Sequence, residues 1–127
     1  MRCEPDREVL RTGGGAEDLA GYSRAVRTGH WVSVSGTAPA GRGEVKEQTL
    51  EAFRIAIAAV EHFGGSVADV ARTRIFLAGG CDWRGAAEAH RELFAEVTPA
   101  NTTLFVAGFI PEGVLVEVEV DAVLPSA

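Results

Sequence analysis

The chain has 127 residues, 46% of them hydrophobic, which suits one ordinary domain with a single core. Its apolar stretches end well short of the roughly 18 residues that a membrane helix needs, and its first ten residues lack the apolar core of a signal peptide. A net charge of -6 repels phosphate backbones. The composition therefore predicts a cytoplasmic protein with a single domain over residues 1–127 that binds neither membranes nor nucleic acid.

The placement of the cysteines and glycines argues against a disulfide framework, a metal site and a phosphate-binding loop. Cys3 and Cys81 are far apart, with no CxxC pair and no histidine at zinc-ligand spacing, so we expect two free thiols and no metal site. The glycine-rich stretches 13–15 and 41–43 lack the Lys-Ser/Thr or the strand-to-helix context of a phosphate-binding loop. No cofactor is expected.

The first half of the chain predicts a hairpin followed by a helix. Residues 1–21 show no strong period and form a strand at best. Residues 23–35 read as strand, turn and strand, with the turn at 27–30. Residues 47–63 predict an amphipathic helix that Gly64 and Gly65 end. The apolar stripe of this helix consists of Leu50, Phe53, Ile57 and Val60.

The second half predicts strand, helix, strand and strand. Residues 70–77 form a strand in which Ala71, Thr73, Ile75 and Leu77 face the helices. Asp82 caps a second helix that runs to about residue 97. Its buried stripe consists of Trp83, Ala87, His90, Phe94 and Val97. Residues 101–106 and 114–123 are the last strands, and the final one alternates valine with mostly acidic residues.

The order ββαβαββ predicts an α/β (α+β) fold with a mixed sheet and two helices on one face. The opposite face would carry Trp31, Phe76, Phe105 and Leu115 among polar groups. This is more aromatic surface than a monomer normally exposes, so a closed oligomer is expected.

From Tyr22 to Val123 the sequence resembles the Rid/YjgF family of reactive-intermediate deaminases. No single motif is specific, but the ordered set is. The matching segments are Tyr22-Ser23, Val32-Ser33-Val34-Ser35-Gly36, Gln48-Thr49-Leu50, Arg72-Thr73-Arg74-Ile75-Phe76-Leu77, Asp82-Trp83, Phe94, Pro99-Ala100 and Val116-Glu117-Val118-Glu119.

The resemblance implies a chorismate-mutase-like fold and a homotrimer whose sheets line a central barrel, with clefts between subunits. Better-known members hydrolyse enamines or imines to 2-oxo acids and ammonia. In them an arginine after Pro-Ala clamps the substrate carboxylate, and a glutamate on the last strand positions or activates water. The glutamate position matches Glu117, whereas the arginine position is Asn101.

This departure matters because a guanidinium forms a bidentate, charge-assisted pair with a carboxylate, and an amide is neutral. A charged hydrogen bond contributes about 1.5 to 3 kcal/mol, so 2-imino acids should bind poorly. The runs 22–27, 72–75 and 82–83 resemble a branch of the family that commonly lacks the arginine.

Several candidate site residues have both a functional and a structural interpretation. Glu117 is the candidate catalytic acid or base, with a pKa that Glu119 and Asp121 would raise, or an ordinary surface carboxylate. Arg74 either neutralises these carboxylates or replaces the missing clamp. The remaining candidates for substrate binding are Tyr22, Ser35, Gly36, Asn101 and Thr103. His90, on an apolar stripe, is expected to be a core histidine rather than a catalytic base.

Three functions remain open at this point. The first is a cofactor-free hydrolase or deaminase that acts on a small enamine, imine or related carbonyl or carboxylate compound between subunits. The second is a trimeric small-ligand-binding protein without turnover, which the absence of the arginine favours. The third is an endoribonuclease, which the acidic balance and the missing pair of histidines oppose.

Overall fold

The computed structural model of the chain describes residues 6–125. From the second strand onward, the order of elements is the predicted ββαβαββ. The strands are β1 (Arg7–Leu10), β2 (Ala25–Thr28), β3 (Trp31–Thr37), β4 (Val70–Ala78), β5 (Ala100–Val106) and β6 (Val116–Val123). The helices are α1 (Gly15–Ala20), α2 (Val45–His62) and α3 (Trp83–Phe94), and a 3-10 turn (Val67–Asp69) precedes β4.

All six strands form one mixed sheet in the order β1-β2-β3-β6-β4-β5. Neighbouring strands are antiparallel except β4 and β5, which are parallel because α3 crosses over between them. The last strand of the chain therefore lies between β3 and β4, and β5 is left at an edge. Because β6 is central, its side chains meet those of both halves of the chain.

The long helix α2 packs on the sheet mainly through small residues. Phe53 and Val60 are fully buried, as predicted, whereas Leu50 and Ile57 are only half-buried. The helix buries alanines in their place, which allow a close approach to the strands. These are Ala52, Ala56 and Ala59.

The helix α3 begins as predicted but buries a different stripe. The Asp82 carboxylate accepts a hydrogen bond from the Gly85 backbone N–H at 3.1 Å, which confirms the N-cap. The predicted stripe is wrong at Trp83 and Ala87, which are exposed. The buried residues are Gly85, Ala86, Ala89 and Phe94. Small side chains let this helix pack closely, so the large indole at its first turn lies outside the contact.

The strand β4 departs from strict alternation at its start. Val70 is buried and Ala71 is exposed, the reverse of the predicted faces. A register irregularity against β6 between Val70 and Arg72 marks a β-bulge, which shifts the alternation by one residue. From Thr73 onward the predicted faces are correct. The alternation of β6 is confirmed along its whole length.

The second face of the sheet, which we call the open face, is not covered by the helices. Trp31 is there as predicted and is 46% exposed. The prediction is wrong for Phe105, which lies on the helix side. Phe105 is in register with Leu77, whose side chain is buried against the helices, and the side chains of paired residues point to the same face. Leu104, 41% exposed, alternates with it and is on the open face beside Phe76.

The N-terminal segment contains more structure than its sequence predicts. Beside the strand β1, it forms the six-residue helix α1, which was missed because one short turn leaves no periodic pattern. Glu17 of this helix is buried and accepts a hydrogen bond from the Thr12 backbone N–H at 3.1 Å. No helix within residues 6–125 has the length and apolar character needed to cross a bilayer. Cys81 is a free thiol, and Cys3 lies outside the described residues.

Candidate functional site

Glu117 lies on the open face, in register with Phe76 on the neighbouring strand β4. Its side chain is half-buried, and this burial is the main reason why its pKa is raised above the ordinary value of a glutamate. The Glu119 carboxylate raises it a little further, and the Arg24 guanidinium opposes the shift. A carboxylic acid that keeps its proton to higher pH suits general acid-base chemistry near neutrality.

The backbone at Gly36 closely approaches this carboxylate. The pairing of β3 with β6 shifts register between Val34 and Thr37, so the strand bulges at this point. A methyl group on Gly36 would lie 2.7 Å from Oε1 of Glu117. Glycine is thus the residue that leaves room for the carboxylate, and two of the predicted site residues do meet.

Arg24 is a member of this site that the sequence reasoning missed. It lies opposite Ser35 in the hairpin, where its carbonyl accepts a hydrogen bond from the Ser35 N–H at 2.9 Å. Its guanidinium donates to the Gly36 carbonyl at 2.6 Å, while its buried Nε has no partner within residues 6–125. Buried donors without partners are rare in proteins and often mark a site for water or a ligand. The Arg24 side chain, Gly36 and Glu117 form what we call the open-face site.

The other two residues predicted near this rim have separate surroundings. The Ser35 hydroxyl donates to the Ser23 carbonyl at 2.6 Å, so its proton is used to hold the hairpin. Tyr22 follows the end of α1 and is 40% exposed. No hydrogen bond joins Tyr22 or Ser35 to Glu117 within the described part of the chain. Their roles in substrate binding stay predictions.

Arg74 is held between two carboxylates farther along the same face. Its guanidinium lies 3.4 Å from Glu119 and 3.3 Å from Asp121. This geometry agrees with the interpretation of Arg74 as a neutralising residue. The alternative role as a substitute clamp stays a prediction.

Asn101 and Thr103 lie on the helix side of the edge strand β5. The Thr103 hydroxyl donates to Oδ1 of Asn101 at 2.9 Å, and the Asn101 amide donates to the Thr73 hydroxyl at 3.0 Å. Thr73 is fully buried and lies 2.7 Å from Nε2 of His90. A chain of hydrogen bonds thus connects the position of the expected arginine to a histidine on α3.

His90 has the surroundings of a core histidine. Its ring packs edge-on against Phe53, with centroids 5.5 Å apart, and tilts over Phe94 at 4.7 Å. Burial lowers its pKa below the ordinary histidine value, so the ring is neutral at physiological pH. This agrees with the predicted structural role, but the link to Asn101 was not visible in the sequence because the two residues are on different elements.

The open-face site and Asn101 lie on opposite sides of the sheet. Glu117 belongs to β6 and points to the open face, whereas Asn101 belongs to β5 and bonds to Thr73 on the helix side. Within one chain they cannot line the same cleft, because their side chains are on opposite faces of the sheet. Any site that contains both side chains needs two copies of the chain.

The described residues hold no group of three or more His, Cys, Asp or Glu side chains arranged to bind a metal ion. The chemistry that residues 6–125 offer by themselves is proton transfer at Glu117 and hydrogen bonding at Arg24 and Asn101.

Fold and site together define a YjgF-like α+β protein. A profile of the family described as Endoribonuclease L-PSP matches residues 15–124. An uncharacterized protein of Streptomyces coelicolor is 41% identical over 128 residues, which cover 96% of this chain and 95% of the relative. The chain belongs to this family, which is the Rid/YjgF family that its sequence resembles.

A solved structure and a relative with a named activity extend the comparison. Rv2704 of Mycobacterium tuberculosis, a member of the YjgF/YER057c/UK114 family, superposes with a TM-score of 0.88 at 37% identity, over 94% of this chain and 100% of that one. The 2-iminobutanoate/2-iminopropanoate deaminase of Dermatophagoides farinae is 28% identical over 120 residues, or 89% of this chain and 93% of the relative.

Proposed function

We propose that the protein is a cofactor-free hydrolase or deaminase that acts on a small enamine, imine or related carbonyl compound, with Glu117 as its acid or base. The observation that carries this proposal is the open-face site. There a half-buried carboxylate with a raised pKa lies against the Gly36 backbone, and a guanidinium with an unpartnered buried nitrogen is its neighbour. The deaminase relative is consistent with this reaction class.

The proposed active unit is a homotrimer in which each site forms between two copies. Two observations support it. The open face exposes large apolar side chains, among them Trp31 and Leu104. Moreover, Glu117 and Asn101 point away from each other within one chain. Light scattering should give three times the mass of the 127-residue chain, and a stable monomer at micromolar concentration would refute the assembly.

The proposed substrate is not a 2-imino acid of the usual kind. Asn101 takes the arginine position, and its amide already bonds to Thr73 and Thr103. A neutral amide cannot form the bidentate, charge-assisted pair that a guanidinium makes with a carboxylate, and one of its two N–H groups is already engaged. Aminoacrylate-type imines should therefore release ammonia slowly in the presence of the protein.

The test is ammonia release from a panel of freshly generated imines and enamines, with and without a carboxylate. The wild-type protein should accelerate at least one member, and Glu117→Ala should lower the rate by about 10² to 10⁴-fold, the usual contribution of a general acid or base. Glu61→Ala, which removes an exposed carboxylate from α2, is the matched control and should leave the rate unchanged. Equal rates for both variants would remove Glu117 from the mechanism.

A second candidate function is a trimeric ligand-binding protein without turnover, and the neutral Asn101 is the observation that favours it. Asn101→Arg separates the two. If the site retains the geometry of the deaminases, the new guanidinium should bring about ammonia release from 2-imino acids, with a gain of roughly 10- to 100-fold from one charged hydrogen bond. If Arg74 already acts as the clamp, like-charge repulsion should lower the rate instead. No change in activity or in 2-oxo-acid binding would favour the ligand-binding protein.

The endoribonuclease activity in the description of the family is the least supported of the three. The net charge of -6 opposes the approach of a phosphate backbone, and the open face pairs Arg74 with carboxylates rather than leaving it available to phosphates.

A further inference from the structure

The edge strand β5 carries a polar pair whose orientation is set from inside the protein. Thr73 has one hydroxyl proton, and its oxygen already accepts a hydrogen bond from the Asn101 amide. The hydroxyl oxygen could accept a second time, but its buried proton also needs an acceptor, and Nε2 of His90 at 2.7 Å is the one such partner within residues 6–125. The neutral ring then carries its proton on Nδ1. The three side chains therefore form one consistent chain of donors and acceptors, in which the Asn101 amide nitrogen points inward to Thr73.

Counting donors and acceptors in the same way shows which hydrogen-bonding groups of Asn101 remain free to bind a ligand. Its amide nitrogen has two protons and gives one to Thr73, while its carbonyl oxygen accepts from Thr103 and has one further lone pair. One N–H donor and one acceptor remain on an exposed residue. Another primary amide offers the complementary acceptor and donor.

An apolar groove adjoins Thr103, the residue whose hydroxyl bonds to the Asn101 carbonyl. It has a volume of about 350 Å³ and is lined by Leu77, Trp83, Thr103, Leu104 and Phe105. Trp83 and Phe105 are each 49% exposed, so their rings offer surface to a ligand. None of the five lining residues is charged. An anionic ligand would lose hydration in this groove without gaining a counter-charge, whereas a neutral one would not.

We propose that the groove and Asn101 together bind a small uncharged amide with an apolar or aromatic body, and that His90 and Thr73 are positioning residues which fix the Asn101 amide for this purpose. The inference deepens the proposed function, because the ligand would be its substrate or a mimic of it. Binding, however, is tested here without turnover.

The first experiment reads the hydrogen-bond chain by NMR of the imidazole nitrogens in the intact ¹⁵N-labelled protein near pH 7.5. The wild-type ring should be the Nδ1–H tautomer. Asn101→Asp removes the amide donor, so the Thr73 hydroxyl should turn to the new carboxylate and the His90 ring should switch to Nε2–H. Thr102→Val is the matched control: it removes a β5 hydroxyl that bonds to Arg72 on the other side of the sheet, and should leave the tautomer unchanged. An Nε2–H tautomer in the wild type would overturn the assignment.

The second experiment measures ligand preference with phenylacetamide and phenylacetate, which differ only in the amide and carboxylate groups. The wild type should bind the amide about tenfold more tightly, as expected for one or two hydrogen bonds. Thr73→Val, which retains the shape of the side chain but frees the Asn101 amide, should reduce this preference, whereas Thr102→Val should retain it. Equal affinities, or no binding of either compound because a second copy fills the groove, would overturn the proposal.

The result stays distinguishable from that of the proposed reaction. The preference is a ratio of two affinities and is measured without ammonia release. A wild type that prefers the amide but releases no ammonia would contradict only the proposed reaction, and one that releases ammonia but binds both compounds equally would contradict only this inference. Loss of the preference in Thr73→Val with an unchanged melting temperature excludes a simple folding defect.

Discussion

Gly36→Ala perturbs the open-face site selectively, because the added methyl group would contact the Glu117 carboxylate and, apart from its chain neighbours, no other residue within 4 Å. The new carbon would lie 2.7 Å from Oε1 of Glu117 and 3.8 Å from its carboxyl carbon. Gly36 does not have a positive φ, so alanine fits its backbone. The only adjustment required is a movement of the Glu117 carboxylate.

The expected cost is small because the clashing atom is the end of a flexible, half-buried side chain. Overpacking a well-filled core costs roughly 1 to 3 kcal/mol, and this site should fall near or below the lower limit, with a melting temperature lower by a few degrees. The chemical effect should be larger. Burial is the main cause of the raised pKa of Glu117, so a carboxylate pushed toward solvent should titrate closer to its ordinary value.

The assay is a carboxyl ¹³C NMR titration together with thermal unfolding. Gly108→Ala, whose added carbon would have no neighbour within 4 Å, is the neutral control. Gly65→Ala, whose added carbon would lie 2.5 Å from Leu124 and 2.7 Å from Val60, should destabilise the protein much more because these are packed apolar groups. In a Glu117→Ala background the cost of Gly36→Ala should largely vanish. An unchanged Glu117 pKa, or the same cost in both backgrounds, would refute the reasoning.

Three further predictions concern pH and stability. Because the pKa of Glu117 is raised in the folded state, its protonated form stabilises the protein at low pH, and this contribution is lost as pH rises above the ordinary glutamate value of about 4. In denaturant titrations Glu117→Gln should therefore gain stability relative to wild type as pH rises. His90 has a lowered pKa, so the wild type should lose stability as pH falls below about 6.5, and His90→Gln should lose less over that range. Phe94→Ala should cost about 3 to 5 kcal/mol by chemical denaturation, as for a fully buried phenylalanine, and a cost below 1 kcal/mol would contradict its place in the core.

The candidate site was predictable where the resemblance fixed positions along single elements. Glu117, Gly36 and Asn101 were named from the sequence, and the structure brings the first two together. Arg24 was missed, although it is part of the matched hairpin, because which charged residue faces the bulge depends on the pairing of β2 with β3. The link from Asn101 to His90 was missed because it passes through three separate elements.

The sequence by itself determined the order of elements and most of their faces, since these depend on local signals: the alternation along 114–123, the helical period over 47–63 and the Asp82 cap. Only the tertiary structure decided how the strands neighbour each other. Insertion of β6 between β3 and β4 places Glu117 against Gly36, and a bulge reverses Val70 and Ala71. Register and strand pairing are long-range choices made by packing, so no local period reports them. The same pairing put β5 at the edge and Asn101 on the side away from Glu117.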